Sequence, residues 1–276
     1  MKKTTKLKSK VIDRKPAAFG TKEWASINVN LINGCQHDCL YCYAKSMVLR
    51  HKSIEIENWS NPEFKPGALE RAYRKRKGTI MYPSVHDIHP DQLTEHLILL
   101  KKLLEAGNDL LIVSKPHLKC IKAICKKFRR YKKQILFRFS IGSANDEVLE
   151  FWEPNAPLFK ERLSCLKHAY KKGFKTSVSC EPMLDNKIGE VIEKTEDFVS
   201  DSIWLGKMNQ ASQRCKMNGH NNEITMDAIR QLSKWQSDRR IKKLYLKHKN
   251  NPLVKWKESI KKVVGLKLQT RAGLDT

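Results

Sequence analysis

The sequence predicts an α/β fold built on a parallel sheet of six strands that alternate with helices. Short apolar segments rich in β-branched and aromatic residues repeatedly give way to longer segments of helical periodicity. The run DLLIVS at 109–114 is apolar without interruption, as is typical of strands covered on both faces. The segment from Pro90 to Gly107 has apolar residues at helical spacing and ends at a glycine. Together these patterns predict parallel strands joined by right-handed helical crossovers.

Local patterns place each element in turn. Prolines at 62 and 66 indicate a surface connection before the second strand, and Gly173 ends the helix that precedes the fifth. In the fourth strand, Arg138 and Ser140 share one face, with phenylalanines on the other. The predicted strands span 24–31, 78–84, 109–114, 134–141, 174–180 and 202–206. The predicted helices span 43–51, 68–77, 90–106, 115–130, 158–172, 188–198 and 225–238.

The length of 276 residues suits one domain, or one domain plus a small appendage. Residues 1–22 are basic and lack apolar periodicity, which predicts a flexible arm. We expect the core domain at 23–240 and a basic C-terminal extension at 241–276.

The chain is strongly basic, with 54 Lys and Arg against 29 acidic residues, a formal charge of +25 and a pI near 9.8. Such an excess attracts phosphate backbones at long range. The alternative is that the lysines coat solvated helix faces, because they are spread along the chain, as at 126–133 and 242–262. No RNP, KH or zinc-finger pattern decides between these interpretations.

The N-terminus is basic but has no apolar signal-peptide core, and the longest apolar runs are too short to span a bilayer. We therefore expect a cytoplasmic protein without membrane association. In a reducing compartment, the eight cysteines are better interpreted as thiols and metal-cluster ligands than as disulfides.

Three cysteines form a C-x3-C-x2-C array at Cys35, Cys39 and Cys42, directly after an apolar segment that ends at Gly34. Soft thiolates favour zinc or an iron–sulfur cluster. A structural zinc site needs four ligands, so zinc would require a fourth such as His37. A [4Fe–4S] cube is normally closed by four cysteines, so three would leave one iron open to a substrate or cofactor.

The array Cys35, Cys39, Tyr41 and Cys42 resembles the C-x3-C-x-aromatic-C motif of the radical S-adenosylmethionine (radical SAM) enzymes. The resemblance implies a partial (β/α)6 barrel with a [4Fe–4S] cluster on the loop after the first strand. It also implies that S-adenosylmethionine chelates the open iron and is cleaved to a 5′-deoxyadenosyl radical, which abstracts hydrogen from a substrate. An external electron donor of the flavodoxin or ferredoxin type is implied as partner.

Polar residues follow the carboxyl ends of the predicted strands, where parallel sheets bind ligands. We expect Lys115 to neutralise the carboxylate of a cofactor, and Ser84 and Ser140 to bind its amino acid or sugar groups. The alternative for each is a solvated loop residue or a helix cap. The residues at this edge are Ser84, His86, Asp87, Lys115, Ser140, Glu181 and Lys207.

The middle of the chain, at about 25–185, also resembles the spore photoproduct lyase branch of the family, whose members are often labelled DNA repair photolyases. The resemblance rests on the segment 138–141, on Glu153 with Pro154, and on Arg162 with Leu163. It implies an ion pair between Glu153 and Arg162. The cofactor contacts that it implies are Tyr41, Tyr43, Ser84, Lys115 and Ser140.

The chain departs from the lyase at the residue before Ser84, where the lyase has a hydrogen-donating cysteine and this sequence has Pro83. Two cysteines are candidate replacements for this hydrogen donor: Cys180, at the end of the fifth strand, and Cys215, in a late polar loop. The alternative for Cys180 is a buried structural thiol, and the alternative for Cys215 is an exposed thiol without a role. The predicted function is a radical SAM enzyme, and charge and resemblance favour a nucleic acid substrate over a protein or small molecule. A zinc-stabilised nucleic-acid-binding module and an iron–sulfur electron carrier are the rival classes.

Overall fold

The computed structural model describes residues 18–51 and 54–273. Seven strands form one parallel sheet, and two short antiparallel strands form a separate ribbon. The strands are β1 (Ile27–Asn28), β2 (Ile32–Asn33), β3 (Glu63–Phe64), β4 (Ile80–Tyr82), β5 (Leu110–Ser114), β6 (Ile135–Ser140), β7 (Lys175–Cys180), β8 (Ile203–Leu205) and β9 (Val254–Trp256). The main sheet has the order β1-β4-β5-β6-β7-β8-β9 and stays open, with β1 and β9 at its edges.

Ten helices connect and follow the strands in the described part of the chain. They are α1 (Tyr43–Arg50), α2 (Leu93–Glu105), α3 (Leu118–Lys127), α4 (Asp146–Trp152), α5 (Phe159–Lys171), α6 (Ile188–Thr195), α7 (Ala211–Met217), α8 (Glu223–Trp235), α9 (Asp238–His248) and α10 (Glu258–Val264). The alternating strands and helices confirm the predicted α/β class, and the open parallel sheet corresponds to the partial barrel. No helix in the described ranges is long and apolar enough to cross a membrane.

All six predicted main-sheet strands are present, although the first shortens from 24–31 to Ile27–Asn28 because its remainder turns into the β2–β3 ribbon. The predicted helix at 68–77 is wrong. This segment starts with a turn and continues as irregular backbone, in which the Tyr73 hydroxyl donates to the Ala68 carbonyl and the Asn108 side chain binds the backbone at 74 and 76. Helices α4 and α7 lie in segments that we expected to be connections.

The predicted C-terminal extension packs against the core, since β9 adds a seventh strand beside β8. Residues 1–17 of the predicted arm lie outside the described residues. Within the rest of that arm, Ala18 donates to the Gln269 carbonyl at 2.7 Å, and Gly20–Glu23 form a 3-10 turn. The division into arm, core and extension stays a prediction.

The core lies between the sheet and its covering helices. In β6, Phe137 and Phe139 are fully buried and stack at 5.4 Å between ring centroids. Because strand side chains alternate, Arg138 and Ser140 face the other side of the sheet, as predicted. Strands β4 to β8 end at one edge, and their carboxyl ends there form the opening that we call the mouth.

Candidate active site

The cysteine loop begins with a backbone turn that only glycine accommodates. Gly34 follows β2 with φ +89°, and a Cβ atom there would lie 2.6 Å from the Trp59 carbonyl oxygen. The next residue, Cys35, donates its backbone N–H to the same carbonyl at 2.8 Å. A side chain at position 34 would therefore disrupt the contact that directs Cys35.

Distant segments fix the rest of the loop. The Asn218 side-chain amide donates to the Leu40 and Cys42 carbonyls, both at 3.0 Å. Leu40 in turn donates its N–H to the Trp152 carbonyl at 3.0 Å. Cys42 caps α1, because its Sγ accepts from the Lys45 N–H at 3.4 Å. The loop conformation is therefore set by α1, by Trp152 at the end of α4 and by Asn218 beyond α7.

The three thiols form a soft donor set that is sheltered from water. Cys39 is buried and Cys35 and Cys42 are half-buried. Burial raises the pKa of all three thiols, that of Cys35 to about 12. Metal ligation must therefore release their protons, as is usual for thiolate ligands.

This donor set fits a cluster better than a single ion. In the described part of the chain, no group of three or more His, Cys, Asp or Glu is arranged to hold one metal ion. The cysteines of a [4Fe–4S] cube bind different irons, so they are spaced further apart than ligands of one ion. His37 does not complete a zinc site, since its Nε2 lies 2.9 Å from His117 Nε2 and its Nδ1 lies 3.3 Å from Asp87 Oδ2.

A buried ion network lies beside the cysteine loop. Glu153 is 2% exposed and pairs with Arg162 at 2.5 Å, as the sequence resemblance implied, and with Lys115 at 4.0 Å. The Tyr41 hydroxyl also donates to Glu153. Burial alone would raise the pKa of Glu153, but Arg162 and Lys115 outweigh it and hold the pKa below its ordinary value. Arg162 donates further to the Ser140 carbonyl at 3.0 Å, which joins the network to the end of β6.

Lys115 lies close enough to all three thiols to interact electrostatically with each. Burial opposes its charge, but Cys39, Tyr41 and Glu153 raise its pKa well above the ordinary value. Its ammonium lies 5.9 Å from the centre of the Tyr41 ring. A charged ammonium held here can neutralise a ligand carboxylate beside the cysteine loop.

Asp87 positions the backbone of Lys115. Its carboxylate accepts from the Lys115 N–H at 3.0 and 3.1 Å, from the Ser114 hydroxyl and from the Ile88 N–H. Burial opposes ionisation, but His37 and Lys115 outweigh it and lower the pKa of Asp87. Asp87 therefore joins the cysteine loop to the end of β5.

Ser84 and Tyr43 meet at the end of β4. The Tyr43 hydroxyl donates to the Ser84 carbonyl, and the Ser84 N–H donates to Asn30 Oδ1 at 2.7 Å. His86 has a structural role here, because its Nε2 accepts from the Leu31 N–H at 3.0 Å. Burial lowers the pKa of His86 to about 4, which keeps the imidazole neutral.

Glu181 enters the mouth from the end of β7. Its Oε2 lies 3.3 Å from the ammonium of Lys257, which also binds Glu23 at 2.7 Å and the Gly20 carbonyl at 3.0 Å. Burial raises the pKa of Glu181, and the Lys257 ammonium only partly opposes this effect. Lys257 belongs to the predicted extension, so this extension supports the site directly.

Three residues were missed by sequence reasoning: Arg214, Asn218 and Lys257. Arg214 lies on α7, close enough to Cys42, Glu181 and Tyr43 to interact electrostatically with each. All three stand in polar or basic segments without apolar periodicity, so no local pattern separates them from solvated residues.

The two candidate hydrogen donors are both buried in the core. Cys180 is fully buried in the apolar core, and strand alternation puts it on the face opposite Ser179, which pairs with Ser140. Cys215 is also fully buried, on helix α7 rather than in the expected polar loop, and burial raises the pKa of its thiol to about 11. Lys207 pairs with Asp238 at 3.5 Å at the rim.

Comparisons with known proteins agree with this geometry. The family model described as "Radical SAM superfamily" matches residues 29–199, which include the cysteine loop and both residues of the Glu153–Arg162 pair. An uncharacterised protein, ORF301, of Acidianus two-tailed virus is 28% identical over 194 residues. That match covers 65% of this chain and 62% of the viral protein.

Among solved structures, a spore photoproduct lyase double mutant with bound AdoMet and dinucleoside spore photoproduct superposes with a TM-score of 0.52 at 17% identity. The match covers 77% of this chain and 66% of the lyase chain. A single mutant of the lyase with the dinucleoside spore photoproduct gives a TM-score of 0.51 at 16% identity. At these identities the likeness shows a shared fold.

Proposed function

Because the chain belongs to the radical SAM superfamily, we propose that it is a radical SAM enzyme whose cluster ligands are Cys35, Cys39 and Cys42. The observation that carries the proposal is the arrangement of three sheltered thiols on a fixed loop, beside the half-buried ammonium of Lys115. The thiols supply a soft donor set of three, and Lys115 supplies the positive charge that an amino acid carboxylate needs.

A [4Fe–4S] cluster bound here would supply the electron that cleaves S-adenosylmethionine to a 5′-deoxyadenosyl radical. The chain's own residues bind and orient the cofactor. Lys115 pairs with the cofactor carboxylate, while Glu153 and Asp87 hold Lys115 in place. The proposed cofactor contacts are Tyr41, Tyr43, Ser84, Lys115, Ser140 and Glu181. The electron comes from an external donor of the flavodoxin or ferredoxin type.

We propose a nucleic acid as the substrate class. Two observations support this class: the formal charge of +25, and a fold shared with a lyase whose mutant binds a dinucleoside photoproduct. Pro83 stands where the lyase has its donor cysteine, and both alternative cysteines are buried in the core. The proposed reaction is therefore hydrogen abstraction from a nucleic acid without a cysteine donor at these three positions.

Metal analysis of anaerobically reconstituted variants tests the ligand assignment. Cys39→Ala removes a proposed ligand, whereas Cys125→Ala removes an equally buried thiol on α3 that is far along the chain from the loop. We expect about four iron and four sulfide per chain in the wild type and in Cys125→Ala, and a loss of both in Cys39→Ala. Equal iron in the two variants, or stoichiometric zinc without sulfide, would contradict the proposal.

A further inference from the structure

A long groove lies between α6 and α9 and opens near the mouth. It encloses about 720 Å³, and its lining includes Met183, Asp185, Trp235, Arg239, Arg240 and Lys243. Met183 and Asp185 follow Glu181 at the end of β7. The Gln236 side chain ties this end of the groove to the sheet, because it donates to the Met183 carbonyl and accepts from the Met208 N–H, both at 2.7 Å.

The cations of this groove lack acidic partners. Arg239, Arg240 and Lys243 are exposed on α9, and among the described residues none of them forms an ion pair. The acid of that helix, Asp238, instead pairs with Lys207 at the mouth. One cation on each of four other helices pairs with an acid of its own helix: Lys101 with Glu105, Lys194 with Glu190, Arg230 with Asp227, and Lys262 with Glu258. Helix α9 therefore presents uncompensated positive charge to a concave surface.

The charge is distributed unevenly along the groove. The far end continues into a second cavity of about 510 Å³, which is lined by Glu190 and Glu193 of α6 and by Glu196 just after it, together with Lys187 and Lys247. The end near the mouth has one acid, Asp185. Its carboxylate is 8% exposed and accepts from the Ser143 hydroxyl and the Lys187 N–H. The half of the groove that borders the mouth therefore carries the excess of positive charge and attracts an anion more strongly than the other half.

We infer that this half of the groove is the docking surface for the phosphate backbone of the nucleic acid substrate, with Arg239, Arg240 and Lys243 as its phosphate contacts. The inference rests on the proposed function, since it names where that substrate binds. The backbone follows the N-terminal half of α9 toward Lys207 and Glu181, so that an adjoining nucleotide reaches the cofactor. Phosphate contacts of this kind fix position without reading sequence.

A matched pair of triple variants distinguishes DNA binding at this groove from nonspecific electrostatic attraction to a basic protein. The groove variant is Arg239→Gln, Arg240→Gln and Lys243→Gln. The control is Lys126→Gln, Lys127→Gln and Arg129→Gln, which also removes three exposed positive charges but does so where α3 leads into the amino end of β6. Both variants change only exposed side chains, so both should fold.

Binding of a fluorescently labelled DNA duplex, and of one of its strands, is measured across a salt series. Loss of three phosphate contacts predicts that the slope of log K against log salt shrinks by about 2.7, at about 0.9 per contact on duplex DNA. We expect duplex affinity at low salt to fall about tenfold or more in the groove variant and to change little in the control.

Equal weakening in both variants, or no weakening in the groove variant, would overturn the assignment of the groove. An acidic peptide that binds the wild type and loses affinity only in the groove variant, while DNA does not, would assign the groove to a protein partner. Release of 5′-deoxyadenosine is measured in parallel. Absence of this release in the wild type would contradict the radical SAM function. Release by a wild type that binds no DNA would contradict only the nucleic acid substrate.

Discussion

The ion pair between Glu153 and Arg162 makes a quantitative prediction about stability. Both side chains are almost fully buried, and Glu153 also accepts from Tyr41 and offsets the charge of Lys115. The substitution Glu153→Gln preserves the shape and most hydrogen-bonding capacity, but leaves the buried Arg162 and the half-buried Lys115 without their carboxylate. Breaking a buried pair by removing one charge costs about 3–5 kcal/mol.

The cost depends on pH in a direction set by the pKa of Glu153, which is lowered from its ordinary 4.5 in the folded protein. A lowered folded pKa means that the carboxylate's contribution is fully present above pH 4.5 and is lost as the pH falls through the folded pKa. We therefore expect a large stability gap between wild type and Glu153→Gln at neutral pH. The gap should narrow progressively below pH 4.5.

Urea denaturation of the cluster-free chain under anaerobic conditions measures this gap at several pH values. Glu150→Gln is the control, because Glu150 is exposed on α4, which ends one residue before Glu153, and its loss should change the free energy of unfolding by no more than about 0.5 kcal/mol. A Glu153→Gln variant as stable as this control at neutral pH would refute the argument, as would a gap that stays constant into acid.

Three further outcomes follow from the site. Lys115→Met should weaken S-adenosylmethionine binding about tenfold or more while iron content stays unchanged, since a charged hydrogen bond is worth about 1.5–3 kcal/mol; equilibrium dialysis measures it. His86→Phe should destabilise the chain by about 1–3 kcal/mol in urea denaturation, because the buried Leu31 N–H loses its acceptor. Cys180→Ala should cost about 1 kcal/mol of stability and leave 5′-deoxyadenosine release unchanged, and a lower release at unchanged iron content would contradict a purely structural role for Cys180.

Sequence patterns predicted the sheet well because each strand is a local apolar run bounded by turns. The same local logic failed at 68–77, where basic helix-forming residues instead form a turn and irregular backbone bound to Asn108. The sequence pattern of this segment alone cannot predict its hydrogen bonds to Asn108, which lies about 30 residues further along the chain. The seventh strand was missed because Val254–Trp256 is short and lies in a basic tail.

The candidate site was only partly predictable, for a similar reason. The cysteine loop is contiguous, so its spacing alone predicts a shared inorganic centre. Lys115 and Glu181 follow from their place at strand ends. Lys257 and Arg214 reach the mouth only through tertiary packing of α10 and α7, and their local sequence resembles that of any solvated basic segment.

The most direct test of the proposed chemistry is product analysis after anaerobic reduction of the reconstituted protein with S-adenosylmethionine. Dithionite supplies the electron, and chromatography identifies the nucleoside released. Wild type and Cys125→Ala should both release 5′-deoxyadenosine, whereas Cys39→Ala should release none. Intact S-adenosylmethionine in a wild-type sample that carries a full complement of iron and sulfide would contradict the account.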